Sequence, residues 1–310
     1  MSATTATTSV ARPRPSTKRR PKSALARSRG RTGLVLTLPA FSLVALLLGV
    51  PILQAVYYSM TRWDGIVATW IGPSTYLTEL KNPIFWRVLE NNGLLLLAVP
   101  VAIMIPLAIA ALLHERVFGW RFFRSVYFLP TAVSWVVIGM VAARFFAKDG
   151  MLNHLLATVG LGSIKTDFLS GERTALLAVA VTFIWSMVGT NTIIFLTGLA
   201  TIDNALHEAA RCDGAGALRI FWHITLPQLK RFVQFSFVMT VISAFTALFS
   251  LIFVMTGGGP GYGTTTLEFF VYQTAFAKGE FGTGALLGVF LFVIMTAVGL
   301  AQLKLFRSDD

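Results

Sequence analysis

Six apolar runs of at least 20 residues lie along the chain, separated by shorter stretches where polar and charged residues gather. A helix rising about 1.5 Å per residue needs about 20 apolar residues to cross a hydrocarbon core of about 30 Å. The runs Leu34 to Met60, Gly93 to Leu113, Phe122 to Phe146, Thr174 to Thr197, Phe232 to Thr256 and Gly284 to Leu303 all reach that length. The pattern predicts an all-α, polytopic membrane bundle of six transmembrane helices. Only Arg124 and Arg144 are charged within the runs, and both lie near a helix end, where a long side chain can reach the headgroups. Pro39, Pro51, Pro100, Pro106 and Pro130 fall inside the runs. Each removes a backbone N–H, which predicts kinks whose freed carbonyls are satisfied by neighbouring helices.

Composition agrees with this reading. The chain is 55 % hydrophobic and 13 % charged, with a mean hydropathy of +0.70, whereas globular domains carry about 25 % charged residues. A soluble enzyme is thereby excluded, since its surface would lack polar cover. One cysteine and four histidines exclude an internal disulfide framework and argue against a metal site or redox chemistry. The net charge is +12. With the N-terminus placed inside, 18 of the 26 basic and 6 of the 14 acidic residues fall on the cytoplasmic side, so the whole excess lies there and the outer side is neutral. That asymmetry puts both termini in the cytoplasm. Residues 1–31, with basic residues interleaved with Ser, Thr and Pro from Arg12 to Arg31, read as a disordered basic cytoplasmic tail near anionic headgroups. Topology accounts for the charge, so nucleic acid is not an expected partner. Residues 32–310 form the transmembrane domain. Its first run is too long for a signal peptide, contains two prolines and Gln54, and lacks a clear cleavage site, so it reads as a retained helix.

The fourth loop, Gly198 to Arg231, is the longest cytoplasmic connection. Asp203 or Asn204 can cap a short helix whose small apolar face is Leu206, Ala209 and Ala210, and Gly214 can end it with positive φ. Ala217, Ile220, Phe221 and Ile224 recur at helical spacing before Pro227, with Lys230 and Arg231 anchoring the next span. This is an amphipathic helix pair at the membrane surface, either bound to lipid or docked in a partner's groove. His207 and Cys212 read as incidental surface residues, because a lone imidazole and a lone thiol form no chemical constellation.

The loop resembles the EAA motif of permease subunits from bacterial ATP-binding-cassette importers: Glu208-Ala209-Ala210, three residues, Gly214, nine residues, then Ile224-x-Leu226-Pro227. The wider form Glu208 to Ala215, which includes Asp213, is similar to the carbohydrate and glycerol-3-phosphate branch. So are Arg121-Phe-Phe-Arg124 with Leu129-Pro130, Gly150 with Asn153, and Thr256-Gly-Gly-Gly-Pro260 before Thr264 to Thr266. The last run, with Tyr272 and Phe276, is most like the maltose-importer F-type or glycerol-phosphate-importer A-type subunit. The resemblance implies a type I importer permease fold, with the fourth loop forming coupling helices that insert into a cleft of a cytoplasmic ATPase. Glu208 would make polar contacts there, Ala209 and Ala210 would permit close approach, and Gly214 would form the turn. It further implies a second homologous permease in a heterodimer, two ATPase subunits carrying ATP and Mg, an extracytoplasmic solute-binding protein, and a place in the bacterial cytoplasmic (inner) membrane.

Chemistry absent from the chain narrows the function. No G-x-x-x-x-G-K-[ST] occurs, so no ATP site is expected on this chain, and the run Gly257 to Gly261 lacks the lysine and reads as an external turn. No catalytic residue and no metal ligand are expected. The alternative, an ion-driven secondary transporter, usually carries ionisable residues inside the membrane; here no Asp, Glu, Lys or His stands in a span away from its ends. An intramembrane enzyme would need a nucleophile with a base at the same depth, and none is evident. The reading is therefore a permease subunit carrying a sugar, oligosaccharide, polyol or glycerol-3-phosphate, not an enzyme by itself. Polar side chains at mid-membrane are the substrate-path candidates: Trp185, Thr190 and Asn191 on the fourth span, Ser243 and Thr246 on the fifth. Asn191 is the foremost, because a lone amide is costly in lipid and should face the bundle interior, where it could equally tie two helices together. Trp135 reads as packing material. Ser236, Ser243 and Ser250 recur every seven residues on one helix face.

Overall fold

A computed structural model describes residues 36–114 and 127–307. The basic tail over 1–31, Arg121 to Arg124 and the start of the third apolar run lie outside the described residues. The chain divides into two units, Met1–Leu53 and Gln54–Asp310. The described part of the first, residues 36–53, is apolar helix with mostly exposed side chains, and it belongs to helix α1, which runs from Leu36 to Tyr58.

The second unit begins with a small hairpin in which β1 (Thr61–Trp63) pairs antiparallel with β2 (Ala68–Trp70), Thr61 opposite Trp70. Asp64 opens the turn by accepting from the backbone N–H of Val67 at 2.7 Å and of Ile66 at 2.9 Å. Those donors hold its carboxyl below the ordinary carboxylate range. Helix α2 (Ser74–Leu80) follows, then α3 (Pro83–Leu96) and α4 (Ala98–His114), which together make one apolar stretch with a turn at Leu97. Asn82 caps α3 by accepting from Ile84 N–H at 3.0 Å, and Pro83 takes the first helical position, where its missing N–H costs nothing. Next come α5 (Trp135–Phe146), α6 (Met151–Thr158) and α7 (Glu172–Leu199), then the short α8 (Asn204–Cys212) and α9 (Ala217–Ile220) of the fourth loop. The chain finishes with α10 (Lys230–Thr246), α11 (Leu248–Met255), α12 (Leu267–Tyr272) and α13 (Phe281–Arg307).

Four stretches, Leu36–Tyr58, Pro83–Leu113, Glu172–Leu199 and Phe281–Phe306, are helical, long and apolar enough to cross a membrane. A fifth is made by α10 and α11 only if they count as one span, because they bend by 40° at Ala247. The bend also interrupts the expected serine face: Ser236 and Ser243 are on α10 and Ser250 is on α11.

The third run departs from the expected continuous helix. In the described part of the run, helix at Tyr127 and Phe128 gives way to a 3₁₀ turn at Leu129–Ala132 and extended backbone at Val133 and Ser134, and α-helix resumes over the 12 residues of α5. At about 1.5 Å per residue α5 covers only about 18 Å, short of the hydrocarbon core. Pro130 sits inside the 3₁₀ turn, and Ser134 restarts the helix by accepting from Val137 N–H at 3.4 Å. The irregular segment packs against α7 at Gly189, where a Cβ would stand 2.5 Å from the Tyr127 carbonyl oxygen; glycine alone admits that approach.

Two other prolines mark wide turns. A π segment at Ala45–Gly49 ends two residues before Pro51, and another at Phe221–Thr225 ends two residues before Pro227. A proline cannot donate to the carbonyl four residues back and its ring crowds it, so the helix opens there.

The main core is formed where α4 lies along α7, with α5, α10 and α11 against them. Phe183, Phe195, Leu251 and Ile252 are fully buried at its centre. A smaller cluster of Phe85, Val88, Leu267, Phe270 and Leu287 joins α3, α12 and α13. Within lipid such contacts hold by close packing rather than by expulsion of water.

Candidate functional site

Three places combine polar chemistry with a specific backbone. The first is the fourth loop. Asp203 caps α8 by accepting from Ala205 N–H at 3.0 Å. The helix ends at Gly214, with φ of 77°, where Gly214 N–H donates to the Arg211 carbonyl at 3.0 Å and Ala215 N–H reaches back to the Ala210 carbonyl at 2.9 Å. This reciprocal pair is the Schellman turn, and it needs the left-handed φ that glycine adopts without strain. The chain then re-enters helix at Ala217 and passes through the π segment and a short turn at Leu226–Gln228 into α10. Glu208, Ala209, Asp213, Gly214 and Pro227 are exposed, while Ala210, Ile224 and Leu226 are half-buried. Leu206, Leu218 and Trp222 also present apolar side chains outward. His207 is not an incidental surface residue: it is half-buried, and its Nε2 lies 3.1 Å from Thr225 Oγ1, linking α8 to the segment after α9. Cys212 is exposed and free. A cavity of about 350 Å³, lined in part by Ala111, Leu199, Ile220 and Phe221, lies beneath the pair.

The second place is the bundle interior at Asn191, which is 1 % exposed. Its Nδ2 donates to the Ala102 carbonyl at 2.8 Å and to Thr240 Oγ1 at 3.1 Å, and its Oδ1 accepts from Ser236 Oγ at 3.0 Å. The Ala102 carbonyl is the one that Pro106, four residues on within α4, cannot serve. The amide of Asn191 therefore fills the vacancy that Pro106 opens and joins α4, α7 and α10. Of the other path candidates, Trp185, Thr190 and Thr246 are exposed and Ser243 is half-buried. Thr246 Oγ1 donates to the Ile242 carbonyl at 3.0 Å. Trp185 lines an apolar cavity of about 330 Å³ with Val141, Phe145 and Val181, between α5 and α7. Trp135 stacks on Phe183 at 6.2 Å between centroids.

The third place escaped the sequence reading. The segment between α11 and α12, with its Gly257 to Gly261 run, folds back on the second half of α3. Asn91 Nδ2 donates to the carbonyls of Tyr262 at 2.8 Å and Thr265 at 2.9 Å. Asn92 accepts from Leu267 N–H at 2.7 Å and donates to Glu268 Oε2 at 3.2 Å. Thr264, Thr265 and Thr266 are fully buried, with Thr264 Oγ1 2.7 Å from Thr256 Oγ1 and Thr265 Oγ1 donating to the Gly258 carbonyl at 2.8 Å. The available signal was a pair of adjacent amides at the head of an apolar run. Asn153, by contrast, stood out in the sequence, and its Nδ2 staples the third loop by donating to the carbonyls of Thr166 at 2.8 Å and Lys148 at 2.9 Å.

Comparison with known proteins places these features. Residues 81–308 match the model of the binding-protein-dependent transport system inner membrane component family. A probable ABC transporter permease protein of Bacillus subtilis is 34 % identical over 265 residues, covering 84 % of this chain and 90 % of the relative. A sulfoquinovosyl glycerol transport system permease protein of Agrobacterium fabrum is 32 % identical over 283 residues, covering 89 % of this chain and 91 % of the relative. A multiple sugar-binding transport system permease protein of Streptococcus mutans is 30 % identical over 263 residues, covering 84 % and 90 %. The fold is similar to a chain in the crystal structure of a bacterial ABC transporter involved in the import of the acidic polysaccharide alginate, with a TM-score of 0.77 and 21 % identity over 92 % of this chain and 99 % of that one. The six apolar runs, the helix pair of the fourth loop and these matches together make the chain a member of the binding-protein-dependent transport system inner membrane component family, with the fold of a type I ABC importer permease.

Proposed function

We propose that the chain is one of two homologous permease subunits of an ATP-driven importer for a sugar or related polyol, and that it works from the bacterial cytoplasmic membrane with both termini inside. The observation that carries this is the fourth loop: two short helices joined by a Schellman turn, with Glu208, Ala209 and Gly214 exposed together beside outward-facing Leu206 and Leu218. A loop built for lipid alone has no need of a rigid left-handed turn at its crest, whereas a helix seated in a partner's cleft does. Family membership supports this over an ion-driven secondary transporter, and relatives named for sulfoquinovosyl glycerol and multiple sugars support the substrate class.

In this reading two ATPase subunits bind ATP and Mg, and the loop over 198–231 passes their opening and closing to α7 and α10, which it joins. Glu208 and Asp213 meet the ATPase surface, Ala209 and Ala210 let the backbones approach, and Ile224, Leu226 and Pro227 seat the second helix on the start of α10. A solute-binding protein delivers the sugar outside; a neighbouring fold has been solved with an alginate pentasaccharide-bound periplasmic protein. Trp185, Thr190, Ser243 and Thr246 line the path in this proposal, and Asn191 holds the spans behind them. Residues 1–31 form the cytoplasmic tail and 32–310 the permease domain.

Thiol labelling tests the orientation. Native Cys212 is the inside probe, and Ile66→Cys at the hairpin tip, 92 % exposed, is the outside one. In intact cells an impermeant maleimide is expected to label Ile66→Cys and to spare Cys212 until the membrane is opened. Labelling of Cys212 from outside would put the fourth loop on the wrong side for any ATPase. The purified chain alone is expected to hydrolyse no ATP above background, and the assembly with two ATPase subunits to hydrolyse it faster when the loaded binding protein is added.

A further inference from the structure

Glu268 is an acidic residue that the transport reading leaves unused and the fold draws largely inward. It follows Thr266 and Leu267 at the start of α12, in the segment that links α11 to α13, outside the spans. Its Oε2 accepts from Asn92 Nδ2 on α3 at 3.2 Å, and the other carboxyl oxygen, Oε1, is buried without a partner. Thr266 Oγ1, also buried without a partner, is close enough to influence the carboxyl. Burial is the largest influence on this carboxyl and favours the neutral acid, outweighing the Asn92 amide and the Thr266 hydroxyl, which favour the charge.

Among the described residues, no cation answers it. On α3, Arg87 pairs with Glu90 at 3.0 Å and with Glu172 of α7 at 2.8 Å. After α12, Lys278 lies 5.5 Å above the Phe270 ring, and its charge acts with that of Glu280 on Glu79 of α2. The ionisable residues of α13, Lys304 and Arg307, are at its far end, and α11 has none. None of these groups pairs with Glu268.

We propose that Glu268 is a proton-carrying latch: with its proton it holds the segment 257–272 on the head of the second span through Asn92, and without it that segment lifts. Asn92 closes the latch from both sides, since its Oδ1 takes the Leu267 N–H while its amide takes the carboxyl. Burial raises the Glu268 carboxyl from the usual carboxylate value to about 7. The latched form thus keeps a proton that the lifted form has already lost between the ordinary value and about 7. Latching is strongest at the acid end of that window, weakens as the pH climbs through it, and stays weak above it. Glu268 here is a positioning residue for the outer segment, and the inference stands apart from the identity of the transported solute.

Thr274, just after α12, is 2 % exposed and its hydroxyl has no partner, so Thr274→Cys places a buried thiol at the end of the segment without removing a hydrogen bond. Ala277 is exposed and gives the reference thiol, Ala277→Cys. Both are made with Cys212→Ser in the full-length chain in detergent, and maleimide labelling of position 274 is divided by that of position 277 to remove the common effect of pH on thiols. The ratio is expected to rise at least about tenfold between about pH 5 and about pH 7 and to level off above that. With Glu268→Gln, which stays neutral and keeps an acceptor for Asn92, it should stay low throughout. With Asn92→Ala it should be high at both ends. A ratio that does not move in the parent, a rise that persists in Glu268→Gln, or slow labelling in Asn92→Ala overturns the latch; a cooperative thermal transition at the parent's temperature in each variant shows that the chain is folded.

Discussion

Asn191→Leu is expected to destabilise the folded chain by about 2–4 kcal/mol in a thermal unfolding measurement, because it strands several buried polar groups at once. The Ala102 carbonyl loses the amide at 2.8 Å, and Ser236 loses its acceptor at 3.0 Å. Thr240 loses its partner as well. The carbonyl cannot fall back on its own helix, since Pro106 has no N–H to give. This makes a sharper test available: Pro106→Ala restores the missing helical donor, so the double variant Pro106→Ala with Asn191→Leu should be less unstable than Asn191→Leu alone, with a coupling of about 1–2 kcal/mol. Strict additivity would show that the amide does not serve the proline's orphan carbonyl. A large loss of sugar uptake with no change in stability would instead return Asn191 to the list of direct substrate contacts.

Gly214→Val and Glu208→Lys should cut uptake by about fivefold or more while leaving membrane insertion intact, since strain on the order of 1 kcal/mol or more at the crest already costs that factor. At Gly214 nothing lies within 4 Å of an added Cβ, so the effect must come from the backbone: a φ of 77° is hostile to a β-branched residue, and abandoning it swings α9 away from its place beside α8. Glu208 is exposed on α8 and makes no hydrogen bond or ion pair in the described chain. Its reversal should leave this chain's fold untouched and place an unpaired charge in the contact with the ATPase. The two variants fail for different reasons. Co-purification of the ATPase should fall in both, and Gly214→Ala, with a smaller penalty at positive φ, should lose less than Gly214→Val. Full transport and normal assembly in both variants would reduce the loop to an interfacial helix pair.

Much of the molecule was legible before any coordinate. Lipid demands long apolar runs whose backbone is satisfied within each helix, so the spans starting near Leu36, Gly93, Thr174, Phe232 and Gly284 announce themselves by length alone. Charge asymmetry then sets the expected orientation. The fourth loop was equally open to reading, because Asp203 as a cap and Gly214 as a left-handed stop are local devices whose partners lie within a few residues in sequence.

What stayed hidden needed partners distant in sequence. The third run has the length and apolarity of a span, yet Pro130 and the tight approach of Tyr127 to Gly189 accompany a 3₁₀ turn and extended backbone over 129–134 that interrupt its helix. Apolar count cannot register that, because it depends on where α7 lies. Asn91, Asn92 and Glu268 lie between the apolar runs and fit no motif; the fold brings them together across more than 170 residues of sequence separation. Asn191 was recognisable as an amide that must face inward, but not as the stand-in donor for a carbonyl 89 residues earlier. The sequence by itself determined the spans, the expected sidedness and the short helices of the fourth loop, since each rests on local length, local charge or local capping. Only the tertiary structure decided which buried polar groups complete one another, because a hydrogen bond extends about 3 Å and is blind to distance along the chain.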